Sequence, residues 1–480
     1  MGSKERGKEE IGNLWEVWQQ RQEDDWLVGG DSRELAGWVE TRSRSLRQWS
    51  ATGILPKILL AERDPVFFLA GFVAACAANC PVFLANPDWA EAEWQQVLTL
   101  VQPDLVWKEG EDIFSAQVPQ SFTLPSPLLL HCSTASAHIF IPTGGSSGQV
   151  RFAMHSWQSL MAAVQGFQQY FGVDRVNSCC GLPLYHVSGL MQFLRSFISG
   201  GQLAILPFRA LQVGQLPTIN PEGWFLSLVP TQLQRLLSEP ELTAWLARFQ
   251  MVLLGGAPAW QELLEKARYH QIRLAPTYGM TETAAQIATL KPEAFLQGAM
   301  GVGQALPHAE VQICNEQGDR LAIHQVGLVT ICSRSLALGY YPHPFPTPTQ
   351  LQTDDLGYLD EQGNLYLVGR NSHKIITGGE KVFPAEVEAA IWVTGWVTDV
   401  CVLGVPDHEW GEVVTAIYVP SHKLSQISTA AQDFKAALQP NLSRHKCPKH
   451  WLAVPAIPRS ENGKLNYSQL LDWAIATLSR

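Results

Sequence analysis

Charge is scarce in this sequence. Only 16% of its 480 residues are Asp, Glu, Lys or Arg, and acidic residues outnumber basic ones 44 to 34, a formal net charge of −10. No Lys/Arg cluster offsets that deficit, which argues against nucleic-acid binding, where a basic footprint carries the affinity. A chain of this kind that handles an anion must concentrate its few cations and its backbone N–H donors locally. Metal-ligand spacing is also missing. The nine cysteines include the adjacent Cys179 and Cys180 and a Cys76/Cys80 pair four apart, but no CxxC and no Cys/His grouping of the zinc type. They read as small buried hydrophobes in a reducing compartment. Neither GxxxxGK[ST] nor GxGxxG occurs, which removes the P-loop and dinucleotide-binding classes. The stretch MGSKERGKEEIGNLWEVWQQRQEDDW is polar where a signal peptide needs an apolar segment, so a cytoplasmic protein is expected. An unbroken membrane span is lacking too: Asn79 and Pro81 interrupt the longest apolar run, Val66 to Ala85.

What is present points to a folded enzyme-sized chain. Apolar residues are 46% of the total, enough for a sizeable core, and 38 Gly with 30 Pro imply many connections. Roughly 150 residues per domain gives about three domains, or one large and one small. Residues 54–86 read strand, helix, strand. Short apolar runs at 137–142 (AHIFIP), 225–230 (FLSLVP) and 251–256 (MVLLGG) alternate with amphipathic stretches at 231–237 and 261–269. That alternation predicts an α/β fold with buried sheets. From about residue 300 turn signals crowd together (NEQGDR, DEQGNLYLVGR, SHKIITGGEKVFP), which predicts antiparallel hairpins. PHPFPTPTQ at 342–350 reads as an extended loop. After Arg370 a unit of about 110 residues follows. It comprises a helix from near Pro384, strands at VCVLGVP and VVTAIYVP, a helix near 429–438, and a final strand WLAVPAIP. We therefore expect a large body over 1–370 and a small α+β cap over 371–480.

The strongest chemical signal is Ile139-Phe140-Ile141-Pro142 running into Thr143, Gly144, Gly145, Ser146, Ser147 and Gly148. Glycine lets backbone N–H groups close on a phosphate, and the hydroxyls add donors. Beyond it Val150, Phe152 and Met154 alternate with Arg151 and Ala153, so the loop is expected at a hairpin tip, with Ser156 capping a helix that begins at Trp157.

With this loop the chain resembles the adenylate-forming superfamily: acyl- and aryl-CoA ligases, luciferase-like enzymes and peptide-synthetase adenylation domains. Five further motifs match in order. They are Pro183–Leu190 (PLYHVSGL), Tyr278–Thr283 (YGMTET), Thr353–Tyr358 (TDDLGY), Gly369-Arg370 through Gly378-Gly379-Glu380, and Pro458-Arg459 through Gly463-Lys464. The resemblance implies a large body with a distorted β-barrel region and a mobile cap. It also implies ATP, Mg²⁺ and a thiol such as coenzyme A as co-substrates.

By the same resemblance Glu282 ligates Mg²⁺, Thr281 binds the α-phosphate, and Lys464 swings in to bridge the acid and the α-phosphate. Asp355 takes the ribose hydroxyls, with Arg370, Tyr278, Gly279 and Gly256 around the nucleotide. Each role suits its residue: a hard cation wants carboxylate oxygen, ribose hydroxyls want an ionised acceptor, and phosphate wants cations and close backbone.

Three departures stand out. Arg151 occupies the usual lysine position of the phosphate loop, and the two are not interchangeable. Asp354 replaces a glycine, setting a second carboxylate near the ribose. Ser372 replaces the usual hinge Asp or Lys, moving the expected pivot to His373 or Lys374.

The blocks PLYHVSGLMQFLRSFISGGQL and LVPTQLQRLL most resemble the o-succinylbenzoate–CoA ligase branch of menaquinone and phylloquinone synthesis. Its acid, 2-succinylbenzoate, keeps an unreacted ring carboxylate. Arg195 is the candidate counter-charge, set against its reading as a surface arginine of an amphipathic helix. His186, Ser188 and Thr277 are further pocket candidates. Other aryl- or acyl-CoA ligases, and a module loading a carrier protein, are the alternatives. The absence of a carrier serine motif after Lys464 argues against the module.

Overall fold

The computed structural model describes residues 14–50, 55–114, 138–144, 149–378, 380–422, 424, 430–439, 442–459 and 465–478. Short apolar runs become buried strands. In the first eight-stranded sheet the strands Leu105–Lys108, Ile58–Leu60, Val82–Leu84 and His138–Gly144 lie side by side and parallel. Val150–Ser156 then pairs antiparallel to His138–Gly144, with Thr143 opposite Arg151 and Gly144 opposite Val150. The loop between them is thus the tip of a hairpin, its residues Gly145 to Gly148 lying outside the described ones. Alternation does not translate into one wet face here: Phe152 through His155 are all buried. Gly339–Tyr340 extends this edge against Ala153.

The second eight-stranded sheet runs Leu27–Val28, Leu203–Ile205, Asn177–Cys180, Trp224–Leu228, Met251–Leu254, Leu274–Met280, all parallel, and ends with Ala285–Thr289 and Gln304–Ala305 antiparallel. One apolar cluster draws on both sheets, Ile58, Leu84 and Ile139 from one and Leu27, Cys180 and Leu203 from the other. Helices Pro65–Ala77, Trp157–Phe171 and Val187–Ile198 supply the filling between them, including Phe72, Leu160 and Phe193. Parallel strands covered on both faces are expected to be uniformly apolar, as these are.

The 66–85 run is explained by this layer. Asp64 accepts from the backbone N–H of Val66 and Phe67, Pro65 opens the helix, and Phe68 through Cys76 are all buried. Among the described residues no helix is long and apolar enough to cross a membrane. The described cysteines are all free thiols, seven of them buried and Cys332 half-buried.

Ahead of Arg370 the chain forms a four-stranded antiparallel sheet: Ala309–Cys314, Gly327–Ser333, Gln350–Leu359 and Leu365–Arg370. Its turns are the ones the sequence marks. Asn315 Oδ1 accepts from Gln317 N and Asp319 N, and Asp360 Oδ1 from Gln362 N and Asn364 N.

Beyond Arg370, strands Ile375–Thr377, Glu380–Val382, Val397–Asp407, Gly411–Pro420 and His450–Ala453 form one sheet. Val400, Val402, Val414 and Tyr418 face helices Pro384–Val393 and Ala430–Leu438, whereas Cys401, Leu403, Val413 and Ile417 face Tyr467–Leu478. Burial on both faces makes VCVLGVP read as a continuous apolar run. The last strand is shorter than WLAVPAIP suggests and stops at Ala453. Pro455 and Pro458 have no N–H to extend a ladder.

Candidate active site

The candidate residues fall into three groups, the first of them at the hairpin Thr143–Arg151. The first is the turn Thr281–Thr283, against which both hairpin strands pack. It is strongly bent: Ala284 and Ala285 take φ of +52° and +78°, conformations non-glycine residues rarely adopt and hold only where surroundings over-determine them. Gly279 makes the bend possible, because a Cβ there would stand 1.9 Å from Ala285 O. Gly279→Ala is accordingly expected to cost more than about 2 kcal/mol of stability, read as a lowered unfolding temperature, and to weaken ATP binding with it.

The turn is pinned from below. Buried His155 donates from Nε2 to Thr281 O at 2.8 Å, since a carbonyl can only accept. Burial pushes this histidine down to about 4, so the ring is neutral at ordinary pH. Ala337 N donates to Glu282 O at 2.7 Å, and Ser335 Oγ donates to Thr283 O at 2.9 Å. Thr281 and Glu282 are themselves only 9% and 7% exposed. The Glu282 carboxylate accepts from Tyr340 O–H, and the Arg151 guanidinium lies 4.2 Å over the Tyr340 ring. Burial and the Glu282 charge raise the Tyr340 hydroxyl well above its ordinary range, so it stays a donor. Tyr340 therefore links Arg151 to the Glu282 carboxylate. The sequence offered no cue to it, since it is one of two adjacent tyrosines at the head of a proline-rich stretch.

The second convergence is Tyr278, Asp355 and Arg370. Asp355 and Arg370 face each other in register on adjacent strands. Arg370 Nε donates to Asp355 Oδ1 at 3.1 Å, and Tyr278 O–H donates to Oδ2 at 2.7 Å. Each oxygen keeps a lone pair for another donor. Burial, then the Asp355 charge, raise the Tyr278 hydroxyl. The Arg151 and Arg370 charges both oppose the rise of the Tyr340 hydroxyl.

Asp354 does something else. Its carboxylate accepts from Ser372 N at 3.1 Å and from Ser372 Oγ, while its carbonyl accepts from Asn371 N at 2.8 Å. The second carboxylate expected beside Asp355 is thus spent on the segment after Arg370. The two departures from the family pattern, Asp354 and Ser372, are partners. His373 and Lys374 are held as well, by the Tyr467 ring at 3.9 Å and by Asn371 Oδ1 at 3.0 Å.

The remaining candidates border a third region. Gly256, with φ +85°, follows the strand Met251–Leu254 and needs glycine's freedom. His186 precedes the helix Val187–Ile198, its ring 4.6 Å from Tyr185, and Ser188 is half-buried in the first turn. Thr277 Oγ1 donates to Ala288 O at 3.0 Å. Arg195 is 4% exposed and stacks 4.3 Å over Phe167. It is not a surface arginine. Burial lowers it to about 9, and its Nε has no partner. Lys464, like Gly145, Ser146, Ser147 and Gly148, lies outside the described residues.

No group of three or more His, Cys, Asp or Glu that could cage a metal occurs among the described residues. A single carboxylate beside a phosphate loop nevertheless fits Mg²⁺, which takes one or two protein carboxylates and completes its shell with phosphate and water.

Residues 53–341, more than half of the chain, match the AMP-binding enzyme family, and 386–464 match the AMP-binding enzyme C-terminal domain. The chain belongs to the AMP-binding enzymes. Among curated relatives, 2-succinylbenzoate–CoA ligase of Enterococcus faecalis is 31% identical over 353 residues, 72% of this chain and 70% of the relative. The enzyme of that name from Listeria innocua is 30% identical over 86% of this chain and 87% of its own. Among solved structures, Bacillus subtilis o-succinylbenzoate CoA synthetase in complex with its acyl-adenylate OSB-AMP superposes with a TM-score of 0.79 at 23% identity, covering 95% of this chain and 97% of that one. ATP-bound MatB of Rhodopseudomonas palustris gives 0.79 at 21% identity, over 97% and 100%. These two share the fold, an α/β body followed by a separate C-terminal sheet domain, as in this AMP-binding enzyme.

Proposed function

We propose that this AMP-binding enzyme is a cytoplasmic ATP-dependent acid–thiol ligase that converts 2-succinylbenzoate to 2-succinylbenzoyl-CoA in menaquinone or phylloquinone synthesis. The observation that carries the acid is Arg195, a buried guanidinium with an unpartnered Nε on the helix that follows the PLYH segment. An apolar fatty-acid tunnel has no use for it, whereas a second, unreacted carboxylate does. Curated relatives bearing this ligase name support the same reading.

Catalysis then consists mainly of placement and charge. In the first half-reaction a carboxylate oxygen of the acid attacks the α-phosphorus and pyrophosphate departs with the electrons of the broken P–O bond. Asp355, held by Tyr278 and Arg370, receives the ribose hydroxyls. Thr281 donates to the α-phosphate, and the loop Thr143–Gly148 with Arg151 takes the departing phosphates. When bound at Glu282, Mg²⁺ supplies charge neutralisation on the phosphate oxygens. Lys464 offsets the two approaching anions. In the second half-reaction the CoA sulfur attacks the acyl carbon, AMP leaves, and the thiol proton passes to solvent.

One lysine cannot sit between the reactants while the thiol enters. The cap, residues 371–480, therefore turns against the body, residues 1–370, between the two steps. The Asp354–Ser372 contacts latch the joint in the present arrangement.

The deciding experiment is acid-dependent ATP–pyrophosphate exchange with 2-succinylbenzoate, benzoate and a medium-chain fatty acid. Exchange with the first alone is expected, and exchange with either of the others but not the first overturns the assignment. Arg195→Leu should raise KM for 2-succinylbenzoate about 10- to 100-fold, the size of one lost hydrogen bond to a charged group, with kcat little changed. An unchanged KM removes Arg195 from the site.

A further inference from the structure

Buried polar atoms without partners are few in a native fold and call for an explanation. Among the described residues, five of them concentrate around one helix and one facing histidine: Gln192 Oε1, Arg195 Nε, Ser196 Oγ, and both His308 Nδ1 and Nε2. His308 comes from the start of the antiparallel sheet, more than a hundred positions beyond Arg195, and is 5% exposed. Its ring enters a notch in the helix Trp157–Phe171. At Gly166 a Cβ would stand 1.9 Å from His308 Nδ1, so the glycine makes room for the ring. The next residue, Phe167, carries the Arg195 guanidinium on its face. Both side chains thus abut positions 166–167.

The two groups share a field. After burial, the Arg195 and then the Arg334 charge lower His308, to about 4. At neutral pH the ring is uncharged and presents one N–H and one acceptor. Neither is used among the described residues. Ser188, Gln192 and Arg195 share one face of the helix Val187–Ile198, which descends from its half-buried first turn to its buried last turn over about 10 Å. Gln192 Nε2 donates back to Ser188 O, leaving its carbonyl toward the same region. A buried guanidinium and a neighbouring imidazole N–H, neither with a hydrogen-bond partner among the described residues, are matched to a carboxylate.

We propose that His308 is a specificity-determining residue which, with Arg195, forms a buried receptor for the carboxylate that the ligase leaves unreacted. This rests on the 2-succinylbenzoate reading above. One carboxylate oxygen accepts from Arg195 Nε–H and the other from the His308 N–H, satisfying both orphaned donors at once.

The test compares 2-succinylbenzoate with 4-oxo-4-phenylbutanoate, the same keto acid without the ring carboxylate. For His308→Leu, KM for 2-succinylbenzoate should rise at least about tenfold. Its kcat, and KM for 4-oxo-4-phenylbutanoate, should hold. The ligand-free unfolding temperature should be unchanged or higher, because an unsatisfied buried polar group has been replaced by an apolar one. His308→Gln, which keeps an N–H donor, should recover most of the discrimination. If His308→Leu does not fold, Gly166→Ala, which displaces the ring, is expected to give the same selective rise in KM. Equal shifts for both acids, or no shift, overturn the receptor while leaving the substrate reading intact. Wild-type enzyme that gives no exchange with 2-succinylbenzoate overturns the substrate reading, and the receptor with it.

Discussion

Lys464→Ala should abolish most adenylation, lowering ATP–pyrophosphate exchange by about 10²- to 10³-fold, the usual cost of removing one charge-stabilising donor from a transition state. Thiolysis of preformed acyl-adenylate by CoA should be largely kept. The split follows from where charge accumulates. Two anions approach in the first half-reaction, whereas a mixed anhydride meets a thiol in the second. The residues that flank the lysine segment are firmly set. Arg459 donates to both oxygens of Asp399 at 2.7 and 3.0 Å, and pairs through its backbone with Leu465. Tyr467 rests on His373 at 3.9 Å, at the joint itself. In the proposed mechanism Lys464 belongs to the cap and meets the nucleotide as the cap turns. Equal loss of the two half-reactions would remove Lys464 from this role.

Glu282→Gln should lower exchange by a similar factor of about 10²–10³, and should shift the enzyme's requirement for Mg²⁺ to higher concentration. The amide keeps an oxygen for the Tyr340 hydroxyl and nearly the same shape, so the unfolding temperature should change little. What it removes is the only negative charge on a turn held by His155, Ser335 and the Ala337 N–H. A hard cation bound mainly through phosphate loses most of its protein anchor with that charge. The measurement is exchange rate against MgCl₂ concentration. Rates equal to wild type at every concentration would mean that the carboxylate holds no metal.

Much of this site was legible in order but not in contact. The YGMTET motif forms a tight turn, and the glycine within it is explained by the backbone: residue 279 passes so close to Ala285 O that no side chain fits. The paired strands carrying Asp355 and Arg370 were foreshadowed by the DEQGN turn, whose Asp360 caps the hairpin that puts them in register. Tyr340 and His155 were not legible. They reach Glu282 and Thr281 across 58 and 126 positions of chain, and neither residue belongs to a periodic pattern that would signal such a long-range contact. Nor was the pairing of Asp354 with Ser372, since each looked like a separate departure from the family.

The sequence by itself determined the class of fold, the hairpin that carries the phosphate loop, and the scarcity of charge that forces cations into a few places. These follow from local causes: apolar runs of strand length, helix caps, and turn residues whose backbone preferences act within a few positions. Tertiary structure alone decided what the scarce cations do. Arg195 looked as much like a surface arginine as a buried one, because helical spacing tells which residues share a face but not what that face meets. Once the helix sets Arg195 on the Phe167 ring and near His308, burial strips water from both groups and leaves their donors without partners among the described residues.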